Sequence, residues 1–244
     1  MNEAFSRSAL LFGQDAIDAL SRKSVALFGG GGVGGNVAEA LVRSGIGKII
    51  LIDNDVVSVS NLNRQLVALH STVGQLKTHV LANRLKDINP ALEVVEYPLF
   101  YLPETADHVN LYGCKYIIDC IDTTSAKIEL ALRARQMNIP MISSMGTGNK
   151  TDPTKLLVSD LAKTSICPLA RVMRRELRIR GINHMKVVWS TELPRTPIGA
   201  PVGENGKPIP ASTPFVPPAA GLLIARTVVA DLLGFEGAEP YAPN

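Results

Sequence analysis

The chain predicts an α/β fold, a Rossmann-like, doubly wound and mostly parallel sheet with a C-terminal elaboration of that sheet. Two observations carry this. Short apolar runs of strand length recur from Ser24 to Gly148, separated by helix-forming stretches. The first run also feeds directly into the glycine-rich stretch GGGGVGG, which opens a helix-forming segment. Strands alternating with helices give parallel sheets with right-handed crossovers, and runs that are apolar at every position mark strands buried on both faces.

Residues 25–28 (VALF) are the first such strand. Gly29, Gly31 and Gly34 then fit GxGxxG, in which the first glycine allows a tight turn, the second a close approach of ligand to main chain, and the third helix packing. A helix over 33–42 follows, its free N–H groups and positive dipole end facing an anion. KIILIDND from Lys48 is the second strand and ends in Asp53 and Asp55. A helix spans 74–88, with Val80, Leu81, Leu85 and Ile88 as its apolar stripe, and Pro90 ends it. LEVVEY from Leu92, KYIIDCID from Lys115 and PMISSMG from Pro140 supply three further strands, with the helix AKIELALRARQMN between the last two.

Ligands of such sheets bind beyond the C-terminal strand ends. There the sequence gathers the glycine loop, Asp53, Asp55, Asp119, Asp122 and Gly146 to Gly148, joined by SNLNRQ (60–65) and Lys77. Asp53 lies about twenty residues beyond the loop, where a dinucleotide fold places an acid on ribose hydroxyls. A redox dinucleotide needs the loop and Asp53 but not Arg64 and Lys77. A nucleoside triphosphate needs cations, because its charges must be neutralised before a nucleophile reaches phosphorus. Taken singly, Arg64 and Lys77 read equally well as solvated surface residues; their setting points to phosphates.

The net charge of +3 over 244 residues permits an anionic partner without demanding one. Three cysteines without a CxxC pair argue against a structural zinc site and a disulfide framework, and fit a reducing, cytoplasmic setting. The N-terminus lacks the basic region, apolar core and cleavage site of a signal peptide. The late apolar run from Ala219 is interrupted by Arg226 and Asp231, which predicts a packed terminal helix rather than a membrane span.

The loop GGGGVG, the strand end LIDND, the block SNLNRQ, the segment VGQLK and DCIDTT together resemble the ThiF/MoeB/E1-like adenylating superfamily, which activates carboxylates with ATP. GTGNKTDPTKLLVSDLAKTS from Gly146, CPLARVMRRELRIRGI from Cys167 and VVWSTELP from Val187 are most similar to its tRNA threonylcarbamoyladenosine dehydratase family. The resemblance implies one ATP-binding adenylation domain over 1–244, with an N-terminal helical segment (1–23), a nucleotide-binding core (24–150) and a substrate-side extension (151–244). It implies that Gly29, Gly31, Gly32 and Gly34 cradle ATP, that Asp53 holds the ribose, and that Asn61, Arg64 and Lys77 bind phosphates. Asp55, Asn63, Gln65 and Thr123 complete the nucleotide set. Asp122 would position magnesium and the reacting phosphate, and Arg7 would reach into the ATP site of a partner subunit. On sequence alone, Arg7 is equally a surface residue of a terminal segment.

The same resemblance implies a tRNA bearing threonylcarbamoyladenosine (t6A) as substrate, a homodimer, no membrane, and a sulfur-transfer or cysteine desulfurase partner as in relatives; it also admits a monovalent cation. Some dehydratase relatives carry a cysteine where this chain reads PASTPFVPPAAG, so an obligatory covalent relay is not implied. Cys114 and Cys120 flank a core strand and read as packing residues. Cys167 begins a helix whose dipole favours a thiolate. That helix, 168–181, places Leu169, Val172, Met173 and Leu177 inward and Arg171, Arg174, Arg175 and Arg178 outward, either as an RNA-facing surface or as a solvated face. The turn-rich stretch 196–218 is either a mobile flap over the site or an ordered loop. Three other functions share the core motifs: an adenylyltransferase for a ubiquitin-like sulfur-carrier protein, an NAD-dependent oxidoreductase, and a silent scaffold.

Overall fold

Apolar runs without alternation become strands whose successive residues enter two different cores. The computed structural model describes residues 3–199, 201–202, 206 and 208–235. Its strands are β1 (Ser24–Phe28), β2 (Lys48–Ile52), β3 (Glu93–Tyr97), β4 (Tyr116–Asp119), β5 (Met141–Ser144), β6 (Leu156–Asp160) and β7 (Lys186–Ser190). They form one sheet in the order β3-β2-β1-β4-β5-β7-β6. All pairings are parallel except that of β6 with β7. Val25 and Leu27 of β1 pack into one core, with Leu41, Leu81 and Ile224, while Ala26 and Phe28 pack into the other, with Leu130 and Met173. Both faces of the sheet are therefore covered, as its composition requires.

The helices are α1 (Ser6–Phe12), α2 (Gln14–Ser21), α3 (Gly34–Arg43), α4 (Lys77–Ile88), α5 (Thr124–Gln136), α6 (Pro168–Ile179) and α7 (Val216–Leu233). Helix α4 starts three residues later than its apolar pattern suggests, because Gly74 has φ +88° and belongs to the preceding turn. Helix α7 starts earlier than Ala219. Pro217 and Pro218 sit in its first turn, where a missing N–H costs nothing. It is long and apolar enough to cross a membrane, yet it lies against α3 and contributes to the core. The contact is close: a Cβ at Gly221 would stand 2.5 Å from the Val33 carbonyl oxygen. Asp231 of α7 anchors the helix by accepting hydrogen bonds from the Tyr116 hydroxyl (2.6 Å) and Lys186 Nζ (2.6 Å).

The expected elaboration of the sheet is the β6–β7 pair. The edge strand β6 is exposed at Leu157 and Val158, so its sequence lacks the pattern of a buried strand.

Candidate active site

From β1 the chain winds through β2 to β3 on one side, and from β4 it winds to β5 and β7 on the other. The crevice between the loops after β1 and β4 is thus the topological switch point, where such sheets bind ligands. Gly29 has φ +92°, and a Cβ there would lie 2.8 Å from the Cys120 carbonyl oxygen. A Cβ at Gly34 would stand 1.7 Å from the Gly29 carbonyl oxygen. These two glycines are therefore steric requirements of the turn. Gly31 is open, its nearest neighbour being the Gln65 Nε2 end at 3.6 Å from an added Cβ, and a Cβ at Gly32 would approach Pro217 to 3.3 Å. Helix α3 begins without a side-chain cap and without an acidic residue in its first turn; its Gly35 and Asn36 N–H groups close onto the Gly31 and Val33 carbonyls, so what faces the crevice is the positive end of the helix dipole and not a row of free first-turn donors.

Asp53, at the end of β2, is tied to that loop. Its Oδ2 accepts the Gly30 N–H at 2.6 Å and its Oδ1 the Asp55 N–H at 2.8 Å. Burial pushes its carboxyl above the usual range, with these two N–H donors opposing the shift. Asp55 is exposed and holds Lys77, whose Nζ lies 2.6 Å from Asp55 Oδ2 and whose side chain is only 6% exposed. The Lys77 N–H also donates to the Asp55 carbonyl, which fixes the first residue of α4. Arg64 Nη1 donates to the Ser60 carbonyl (2.9 Å) and to Asn63 Oδ1 (2.8 Å), and burial lowers its pKa. Asn61 spends its Oδ1 on the Ser58 N–H at 3.1 Å. Gln65 is buried beside Gly31, and its Oε1 has no hydrogen-bond partner among the described residues. The arrangement is a glycine-lined cradle with two cations and an amide at its wall.

Asp122 and Thr123 lie in the turn from β4 to α5. Asp122 is exposed and makes no hydrogen bond among the described residues; Thr123 is the residue preceding α5 and makes no capping bond. Among the described residues no group of three acidic, histidine or cysteine side chains could hold a metal by itself. Asp122 offers a hard oxygen donor of the kind magnesium takes together with phosphate oxygens. Arg7 is exposed on α1, which packs on α2, and has no partner among the described residues.

Several residues escaped the sequence reading. The described part of the 196–218 stretch is a strap rather than a free flap. Ala211 pairs with Asn149, its carbonyl accepting the Asn149 N–H and its own N–H donating to Asn149 Oδ1, both at 2.7 Å. Asn63 Nδ2 donates to the Ser212 carbonyl at 3.0 Å, and Pro217 lies against Gly32. Prolines in a first helical turn were the available signal for where the strap ends. Helix α6 also needs two corrections. Arg174 turns inward to the Thr164 carbonyl at 2.6 Å, because the 161–164 turn packs beside that side of the helix, and Val172 is 37% exposed, because it shares a stripe with the exposed Arg175 and Ile179 and not with the buried Met173 and Leu177. Cys114 and Cys167 are buried and Cys120 is half-buried; burial pushes the Cys114 and Cys120 thiols up, away from thiolate chemistry.

Comparison with known proteins places the chain in a lineage. Residues 5–242 match the model of the ThiF family. The tRNA threonylcarbamoyladenosine dehydratase of Bacillus subtilis is 44% identical over 243 residues, covering 96% of each chain. The crystal structure of the Escherichia coli tRNA N6-threonylcarbamoyladenosine dehydratase in complex with ATP superposes with a TM-score of 0.86 at 33% identity, over 95% of this chain and 94% of that one. By contrast, the adenylyltransferase and sulfurtransferase UBA4 of Saccharomyces cerevisiae is 31% identical over 61% of this chain and 33% of its own length. With fold, glycine loop and matching residues in agreement along its length, the chain belongs to the ThiF family.

Proposed function

We propose that this chain is an ATP-dependent dehydratase acting on t6A in tRNA, which adenylates the threonylcarbamoyl carboxylate and cyclises it with release of AMP and pyrophosphate. The observation that carries this reading is the 44% identity to a dehydratase over 96% of both chains. The carrier-protein alternative is weaker, because that likeness spans 61% of this chain. ATP lies with its phosphates against Gly29 to Gly34 and its ribose hydroxyls on Asp53. Arg64 and Lys77 draw charge from the phosphoryl oxygens as the carboxylate attacks the α-phosphate. Asp55 holds Lys77 in place. Asp122 would hold the magnesium that accompanies ATP, and that ion would supply Lewis-acid polarisation of phosphoryl oxygens. In the second step the carbamoyl group of the substrate attacks its own activated carbonyl and expels AMP, so orientation within one substrate supplies much of the acceleration. No protein thiol is required, and a sulfur-transfer partner forms no part of the proposal.

The test is ATP turnover with magnesium on t6A-modified and unmodified tRNA, following AMP and the mass of the nucleoside. AMP release with a nucleoside lighter by one water supports the reading; AMP formation indifferent to the modification sinks it.

The tRNA meets the exposed side of α6, where Arg171, Arg175 and Arg178 project. Reversing Arg171 and Arg178 to Glu should raise KM for tRNA at least about tenfold and shallow the salt dependence of binding by about one unit per arginine. Unchanged binding in filter assays would remove α6 from the interface. We further propose a cytosolic homodimer completed by Arg7. Leu10 and Leu11, 84% and 78% exposed beside Arg7, supply apolar surface for a second copy, and a monomer in analytical ultracentrifugation would refute this.

A further inference from the structure

Asp119 ends β4 and Lys127 lies near the start of α5; both side chains are wholly shielded from solvent. Neither has a role in the reaction described above. Lys127 Nζ donates to Asp119 Oδ2 (2.9 Å), Ser143 Oγ (3.1 Å) and the Ser144 carbonyl (2.8 Å), which uses every proton of the ammonium. Ser143 Oγ donates in turn to Asp119 Oδ2 at 2.5 Å. The other carboxylate oxygen, Oδ1, accepts the Ile121 N–H at 3.1 Å.

A buried ion pair is a poor way to stabilise a sheet, because desolvation offsets the attraction and an apolar pair of similar volume often does as well. An apolar pair could not hold the Ile121 N–H. That peptide is wedged against the glycine loop: the Cys120 N–H donates to the Phe28 carbonyl at 2.8 Å, and the Cys120 carbonyl oxygen stands under Gly29. Asp122 is the next residue. It is exposed and has no hydrogen bond of its own among the described residues, so its direction is inherited from the backbone before it.

We infer that Asp119, Lys127 and Ser143 form a buried positioning cluster, which clamps the Ile121 amide and thereby aims the Asp122 carboxylate at the nucleotide phosphates. This rests on the role proposed for Asp122 above. Lys127 and Ser143 are positioning residues, since they act through Asp119 and the 120–122 backbone.

Lys127→Met alone strands a buried carboxylate and risks unfolding, so two other variants test the idea. Ser143→Ala removes two hydrogen bonds from the cluster, the one accepted from Lys127 Nζ and the one donated to Asp119 Oδ2, and the double variant Asp119→Leu/Lys127→Met exchanges the ion pair for apolar volume. Both should keep the affinity for ATP, measured by calorimetry. Their kcat for AMP formation should fall by about tenfold and a hundredfold respectively, the scale expected when a reacting group is slightly misplaced, with KM for ATP unchanged. Hydrogen exchange over 120–123 should quicken at least tenfold in the double variant. Unaltered exchange, an unchanged kcat, or equal losses of kcat and ATP affinity would overturn the inference. A wild-type protein that forms no AMP would defeat the proposed reaction instead, and the exchange measurement would still decide the clamp.

Discussion

Asp122→Ala and Arg64→Ala are each expected to lower AMP formation by at least about a hundredfold while leaving the fold intact, the loss typical of removing one group that stabilises charge in the transition state. Asp122 is exposed and unbonded among the described residues, so its truncation removes no interaction on which the turn depends. Surface changes of this kind cost within about 0.5 kcal/mol. Among the described residues the Arg64 side chain is hydrogen-bonded only to its own neighbourhood, the Ser60 carbonyl and Asn63, so its loss loosens a local turn and not the core. The measurement is initial AMP release together with thermal denaturation. Turnover at the wild-type rate in either variant removes that residue from the site, and a lowered melting temperature with proportionate loss of activity points to folding instead.

Two glycines of the same loop should respond in opposite ways to the same methyl group. At Gly34 the added Cβ meets the Gly29 carbonyl oxygen at 1.7 Å, and neither partner is a flexible side chain. Gly34→Ala therefore has to open the turn, and the expected destabilisation is about 3 kcal/mol or more, at the upper end for overpacking. At Gly31 the nearest neighbour is the Gln65 amide at 3.6 Å, an ordinary contact. Gly31→Ala should fold with an unchanged melting temperature and lose at least about tenfold in ATP affinity, because the methyl occupies the space in which phosphates touch the main chain. Calorimetric titration with ATP checks this. Affinity equal to the wild type in Gly31→Ala would mean that the phosphates do not pass over that residue.

Asp53 shows how a residue's place can be legible while its surroundings are not. Its position after β2 marked it as an acid for a ribose, yet only the structure shows the Gly30 and Asp55 N–H groups on its two oxygens and the burial that raises its pKa. Lys77 was expected from the sequence as a cation beside the phosphates. Its pairing with Asp55 and its near-complete burial were not, because those depend on how the start of α4 meets the end of β2. Lys127 carried no signal at all: in the sequence it is one lysine on a helix, and a helical pattern assigns lysines to solvent.

The sequence by itself determined the alternating architecture, the order of the parallel strands' motifs, and the tight glycine turn after β1. These follow from local patterns: apolar runs, glycine spacing and residues at strand ends. Only the tertiary structure decided that Asn63, Asn149 and Pro217 secure a strap beside the glycine loop, that Arg174 is withdrawn from the basic face of α6, and that a buried Asp119–Lys127 pair lies beneath Asp122. Each of these joins segments far apart in the chain or reverses an expected side-chain direction. Such contacts are set by which surfaces remain to be covered once the sheet has formed, and no local periodicity encodes that.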